Sequence, residues 1–253
     1  MCQICDNEYE GLQELYIDNC NHIITIPIIH GLRHLDIINC PNITTIPIIH
    51  GLRHLDIINC QNITNITIIE GLNELCIINC PNITNIPIID GLRKLCIINC
   101  PNITNIPIID GLRQLSISNC NNITNIPIIK GLYELIINNC DDIINIPIIE
   151  GLNELFIINC QNICNIPIIE GLKKICICFC PKINHIETID TDYDNKKFIR
   201  KFYNINKIKR WYRLVKLSKK LWMYAELVIM DSMNPHKENN QYLEQYIKEK
   251  VYG

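Results

Sequence analysis

Residues 31–50 read GLRHLDIINCPNITTIPIIH, and residues 51–70 read GLRHLDIINCQNITNITIIE. The same 20-residue unit begins at Gly11, Gly31, Gly51, Gly71, Gly91, Gly111, Gly131 and Gly151 without insertion or deletion, and a degraded ninth copy begins at Gly171. Self-similarity at a fixed period in this range marks a solenoid: one unit cannot bury its apolar edge alone, and stacking the units makes a continuous core. The array grows in one dimension, and surfaces of this kind serve chiefly to bind other macromolecules.

Inside the unit, Leu32, Leu35, Ile37 and Cys40 fall in a stretch that alternates at the strand period of two, which points Leu35 and Ile37 inward. Pro-Asn or Gln-Asn follows the cysteine as turn chemistry, and Ile43, Ile46, Pro47 and Ile49 anchor the return path. A return path this short, with a proline in it, leaves little room for a helix. The outer side is expected to be extended or 3₁₀-like, with Gly51 allowing the bend into the next strand.

The segment Leu32-x-x-Leu35-x-Ile37-x-x-Cys40-x-x-Ile43 and its copies resemble the leucine-rich repeat family, whose signature is Leu-x-x-Leu-x-Leu-x-x-Asn/Cys-x-Leu. That resemblance implies a curved solenoid with a parallel sheet on its concave side and protein recognition on that sheet. Cysteine stands where the family often has Asn. A thiol is a weak donor, so the column is expected to contribute mostly packing, leaving backbone bonding to the Asn39, Asn59, Asn79 series or to the Asn42 and Asn65 series. The Ile and Asn bias, the near-identical copies and the charged aromatic tail look most like the leucine-rich repeat proteins of giant amoeba-infecting DNA viruses of the mimivirus type. This implies a host or viral protein as partner.

Composition bounds the rest. The chain has 253 residues, 48% of them hydrophobic, which is enough for one sizeable domain and an appendage. Met1 to Glu8 have neither a basic start nor an apolar core, and no apolar run long enough to span a bilayer follows, so an intracellular location is expected, in the host cytoplasm, with packaging in the virion left open. Nine of the sixteen cysteines, from Cys20 to Cys180 at every twentieth position, belong to the repeat and are expected to be a buried column of reduced thiols. Cys2 and Cys5 have zinc or redox spacing without a second pair nearby, so a capping role is preferred.

On the strands, the outward position between the two inward residues reads Tyr16, Asp36, Asp56, Cys76, Cys96, Ser116, Ile136, Phe156 and Cys176. The outward position before it includes His34 and His54, and the one after it is Ile38, Ile58, Ile78 and Ile98 in successive copies. Variation beside near-constancy is what a recognition surface shows. The expected partner site is therefore an apolar stripe of Ile38, Ile58, Ile78, Ile98, Ile136 and Phe156, rimmed by Tyr16, His34, Asp36, His54 and Asp56. Duplication alone also produces the His and Asp cluster, and no closed ligand shell can be built from repeat positions, so no metal and no cofactor are expected. A unique nucleophile beside a base, a phosphate loop and paired carboxylates in a cleft are all missing from the pattern. The chain reads as a non-enzymatic module without a small-molecule substrate.

After Ile186 the period breaks. Residues 195–220 contain eleven Lys and Arg and no acidic residue, interleaved with Trp211 and Tyr212, and apolar residues recur three or four apart. One or more amphipathic helices are expected there, as a C-terminal cap or as a site for nucleic acid or an anionic membrane centred on Lys209, Arg210, Arg213, Lys216 and Lys220. The sequence thus divides into an N-terminal cap (1–10), a leucine-rich repeat solenoid (11–186) and a helical, basic and aromatic segment (187–253).

Overall fold

A computed structural model describes residues 4–5, 9–183 and 185–186 of the chain. The expected C-terminal helices, and with them Lys209, Arg210, Arg213, Lys216 and Lys220, lie outside the described residues.

Each repeat contributes one five-residue strand: β1 (Glu14–Asp18), β2 (His34–Ile38), β3 (His54–Ile58), β4 (Glu74–Ile78), β5 (Lys94–Ile98), β6 (Gln114–Ser118), β7 (Glu134–Asn138), β8 (Glu154–Ile158) and β10 (Lys174–Cys178). They form one nine-stranded parallel sheet in chain order. The register is that of the repeat: Leu35 faces Leu55, Ile37 faces Ile57, and so on with a shift of one unit per strand. The protein is a parallel β-solenoid. Among the described residues there is no helix, and none that is long and apolar enough to cross a membrane. The return side is extended, with parallel bridges at Thr25–Thr45 and Asn145–Asn165 and a short pair between β9 (Asn165–Ile166) and β11 (His185–Ile186).

The core is a set of aliphatic columns. In the second coil Leu32, Leu35, Ile37, Cys40, Ile43, Ile46 and Ile49 are all buried, and the same positions repeat along the array. Burying one such Leu or Ile is worth about 1.5–3 kcal/mol, but only when the coils on either side are in place. At the N-terminal end Ile4, Tyr9 and Leu12 pack partly against this core, and Cys5 Sγ lies 3.5 Å from Cys20 Sγ.

Two corners close each coil. At one, Leu52 N–H donates to Ile49 O across His50 and Gly51, and Gly51 takes φ of +86°, a region open to glycine and strained for residues with a Cβ. At the other, Asn39, Asn59 and their equivalents take φ near +52°, where Asn is better tolerated than other side chains. Their amides form a ladder: Asn59 Nδ2 donates to Asn39 Oδ1 at 2.6 Å, Asn79 to Asn59 at 2.8 Å and Asn99 to Asn79 at 2.7 Å. Backbone bonding falls to the Asn42 series instead, with Asn82 Nδ2 donating to Gln61 O at 2.6 Å and Asn102 Nδ2 to Pro81 O at 2.7 Å. In the Asn65 series, Asn65 Nδ2 donates to the neighbouring Thr64 Oγ1 at 3.3 Å, and Asn145 Oδ1 accepts from Cys164 Sγ at 3.8 Å.

The cysteine column does more than pack, contrary to expectation. Cys60 Sγ lies 3.3 Å from Ile58 O and 3.6 Å from Ile37 O, and the pattern recurs from Cys40 to Cys180. Turning the chain at Asn59 aims carbonyls of two successive coils at the thiol, so even a weak donor is used. Burial pushes the Cys80 and Cys120 thiols up to about 11, which keeps them protonated and inert at neutral pH.

Asn79→Ala removes a residue suited to the left-handed corner and both of its ladder bonds. Its expected cost is about 2 kcal/mol in urea unfolding, roughly half of it restored by Asn79→Gly, which keeps the backbone freedom without the amide. Equal losses for Ala and Gly would mean that the ladder alone matters.

Candidate functional site

The N-terminal half of the sheet gathers the polar candidates onto one face. Because β1, β2 and β3 pair in register, Tyr16, Asp36 and Asp56 stand in one row, and Glu14, His34 and His54 in the next. His34 Nε2 donates to Asp36 Oδ1 at 2.7 Å, and the His34 ring lies 5.6 Å from Tyr16 and 5.4 Å, stacked, from His54. The Tyr16 hydroxyl donates to Glu14 Oε2 at 3.0 Å. His54 Nδ1 is 3.5 Å from Glu74 Oε2, and Lys94 Nζ reaches the same oxygen at 3.7 Å.

Asp36 is buried and Asp56 half-buried, side by side in the register. Burial, followed by the charge of Asp36, pushes the Asp56 carboxyl up to about 7, while His34 and Lys94 pull the other way. The hydrogen bond to Asp36 raises His34 above its ordinary range, against the opposing effect of its own burial. Two neighbouring carboxyls that resist double ionisation form a place where an external cation is favoured. Among the described residues no group of three or more His, Cys, Asp or Glu is arranged to hold a metal ion.

The apolar part of the expected site is placed differently. Ile38, Ile58, Ile78 and Ile98 are outward by alternation but only 6%, 1%, 1% and 3% exposed, and Ile136 and Phe156 are also buried. Outward therefore does not mean exposed. Of the candidates, Tyr16 is exposed, at 51%, and His34, His54 and Asp56 are half-buried. The isoleucine row breaks at Ser118 and Asn138, both buried, and the Asn138 Oδ1 atom has no hydrogen-bond partner among the described residues.

Farther along the sheet, Lys174 Nζ pairs with Glu154 Oε2 at 2.8 Å and lies 4.7 Å from the Phe156 ring centre, and Gln114 Nε2 donates to Glu134 Oε2 at 2.9 Å. Cys176 is buried and Cys178 half-buried, with their sulfurs 3.6 Å apart. Sequence reading missed the Glu74–Lys94 link, whose signal was available as opposite charges at the same position of adjacent copies. The sequence matches no protein-family model, and no curated protein matches it.

Proposed function

We infer that the chain is a non-enzymatic protein-interaction module of the leucine-rich repeat type, and that it takes a basic segment of a host or viral protein against the N-terminal half of its sheet. The observation behind this reading is the in-register pair Asp36–Asp56, with Asp56 held near 7 beside exposed Tyr16 and half-buried His34 and His54. A lysine or arginine entering next to Asp56 relieves the repulsion between the two carboxyls, and Tyr16 and His54 offer ring surfaces to its aliphatic stem or guanidinium plane. The repeat-type assignment rests on the match of Leu32, Leu35, Ile37 and Cys40 to the family signature and on the way Cys40 and Asn42 bond backbone carbonyls of the neighbouring coil.

The test is binding of the intact chain to immobilised peptides that differ only in carrying Lys and Arg, neutral or acidic residues. Basic peptides are expected to be preferred, and Asp56→Asn to weaken that binding about tenfold, the effect of losing one partly buried charge pair of about 1.4 kcal/mol. Indifference to peptide charge, or full binding by Asp56→Asn, would remove this reading.

A second reading rests on sequence alone: the eleven basic residues of 195–220, including Lys209, Arg210, Arg213, Lys216 and Lys220, serve nucleic acid or an anionic membrane. Its mark is affinity for polyanions that falls steeply with salt and is lost when these five residues become Glu.

A further inference from the structure

The solenoid does present an exposed isoleucine stripe, on the side opposite the sheet. One isoleucine per coil, from Ile28 to Ile168 at every twentieth position, is 44–59% exposed, while the isoleucine next in the chain, from Ile29 to Ile169, is buried. Half an isoleucine is roughly 100 Å² of surface, so the eight together present roughly 800 Å² of contiguous apolar area. That exceeds the largest patch of a typical monomer, about 300–600 Å², and equals the share one partner contributes to a standard interface.

We propose that this stripe is the interface of a two-fold homodimer in which two copies pack antiparallel, stripe against stripe. Three observations select a second copy as the occupant. The first is the area, which matches what a stable dimer requires of each subunit. The second is spacing. One isoleucine stands at the same position of every coil, and the return side bridges in parallel at Thr25–Thr45 and Asn145–Asn165 and between β9 and β11, so at both ends of the array the stripe advances by one strand spacing per coil. A row of identical teeth, one per coil, is matched by another row of the same kind, and this chain supplies one. A two-fold axis makes the contact isologous and closed.

The third observation is charge. Two residues beyond each stripe isoleucine stands an exposed residue, in order His30, His50, Glu70, Asp90, Asp110, Lys130, Glu150 and Glu170. Reversing this row against itself sets His30 opposite Glu170, His50 opposite Glu150 and Glu70 opposite Lys130. Only the central Asp90 and Asp110 meet with like sign, and each has an exposed arginine three residues on, Arg93 or Arg113. A parallel two-fold pairing would instead place the two copies of this row on opposite sides of the seam and bring none of these pairs together. Five acidic residues in this flank also disfavour an anionic lipid surface as the occupant.

Sedimentation equilibrium of the full-length chain, from about 1 to about 100 µM, tests the proposal. A closed dimer is expected. Ile88→Lys with Ile108→Lys puts four ammonium groups into the apolar centre of the contact and is expected to weaken it at least about 100-fold, while the variant keeps the far-UV circular dichroism of the parent. Lys130→Glu makes two symmetry-related pairs like-charged and is expected to weaken the dimer about tenfold, and adding Glu70→Lys restores the pairs and the affinity. A monomer across the whole range, an open series of higher oligomers, a dimer indifferent to the isoleucine changes, or a charge swap that fails to rescue would each overturn the proposal. The monomer outcome would assign the stripe to a different partner.

Discussion

Leu95→Ala in the fifth coil is expected to lower the unfolding free energy by about 3–4 kcal/mol, within the range for a fully buried leucine truncated in a close-packed interior. Leu95 is completely buried in β5 and stands in register between Leu75 and Leu115. A cavity there takes contacts from three coils at once, and the neighbours have little freedom to collapse because their strands are fixed by pairing on both sides. The effect should depend on position in a way that a globular core would not show. Leu15 is equally buried but lies in β1 and has a paired strand on one side only, so Leu15→Ala is expected to cost about half as much. Leu95→Met, which nearly conserves volume, is expected to cost less than about 1.5 kcal/mol. Urea unfolding followed by circular dichroism gives all three values. In a one-dimensional array the stability is a sum of coil and interface terms, so the central truncation is also expected to reduce the steepness of the transition as the array begins to melt in two parts. Equal losses at Leu15 and Leu95 would contradict nearest-neighbour additivity.

The fold was legible in the sequence because the repeat states each structural requirement nine times. One copy of Leu32-x-x-Leu35-x-Ile37 would be an ambiguous apolar run. Nine copies in phase leave parallel, in-register strands as the arrangement that gives every copy the same environment. The inward residues followed directly from period two, and so did the gathering of Tyr16, His34, Asp36, His54 and Asp56 on one face. Two things were not legible. Alternation says which way a side chain points and is silent about what covers it, so Ile58 and Ile98 read as surface and are buried. On the return path the anchors Ile43, Ile46 and Ile49 were legible and are buried, and what the sequence did not show is that Ile48 between them is exposed. The choice among asparagine series was likewise a matter of corner geometry. Asn39 adopts φ of +52°, which directs its amide along the stack, while Asn42 lies past the turn, where its amide reaches the Asn21 carbonyl.

The pH dependence of stability follows from Asp56 and has an unusual sign. The carboxyl of Asp56 is pushed up to about 7 in the folded chain, against about 3.9 in an unfolded one. Between these values the folded state binds a proton that the unfolded state has released, so stability falls as pH rises from about 4 to about 7. At about 1.4 kcal/mol per pH unit over three units, the loss has an upper bound of about 4 kcal/mol. His34 acts in the same direction at higher pH. Its raised value means that the stabilisation from the Asp36 bond is fully present below about 6.5 and is lost as pH climbs through its folded value. The chain is therefore expected to melt at a lower temperature at pH 7.5 than at pH 5, on the acid side of the usual optimum. Asp56→Asn keeps the shape without the ionisation. It should match the parent at pH 4 and exceed it at pH 7.5, where calorimetry gives the difference directly, and a parent whose stability is flat or rises over this interval would refute the assignment. The same substitution is expected to weaken the binding of basic peptides, so one residue lowers stability at neutral pH and contributes affinity. A carboxyl retained at that cost is better explained by a partner's cation than by the fold, and binding near pH 6 should accordingly release a proton to the buffer.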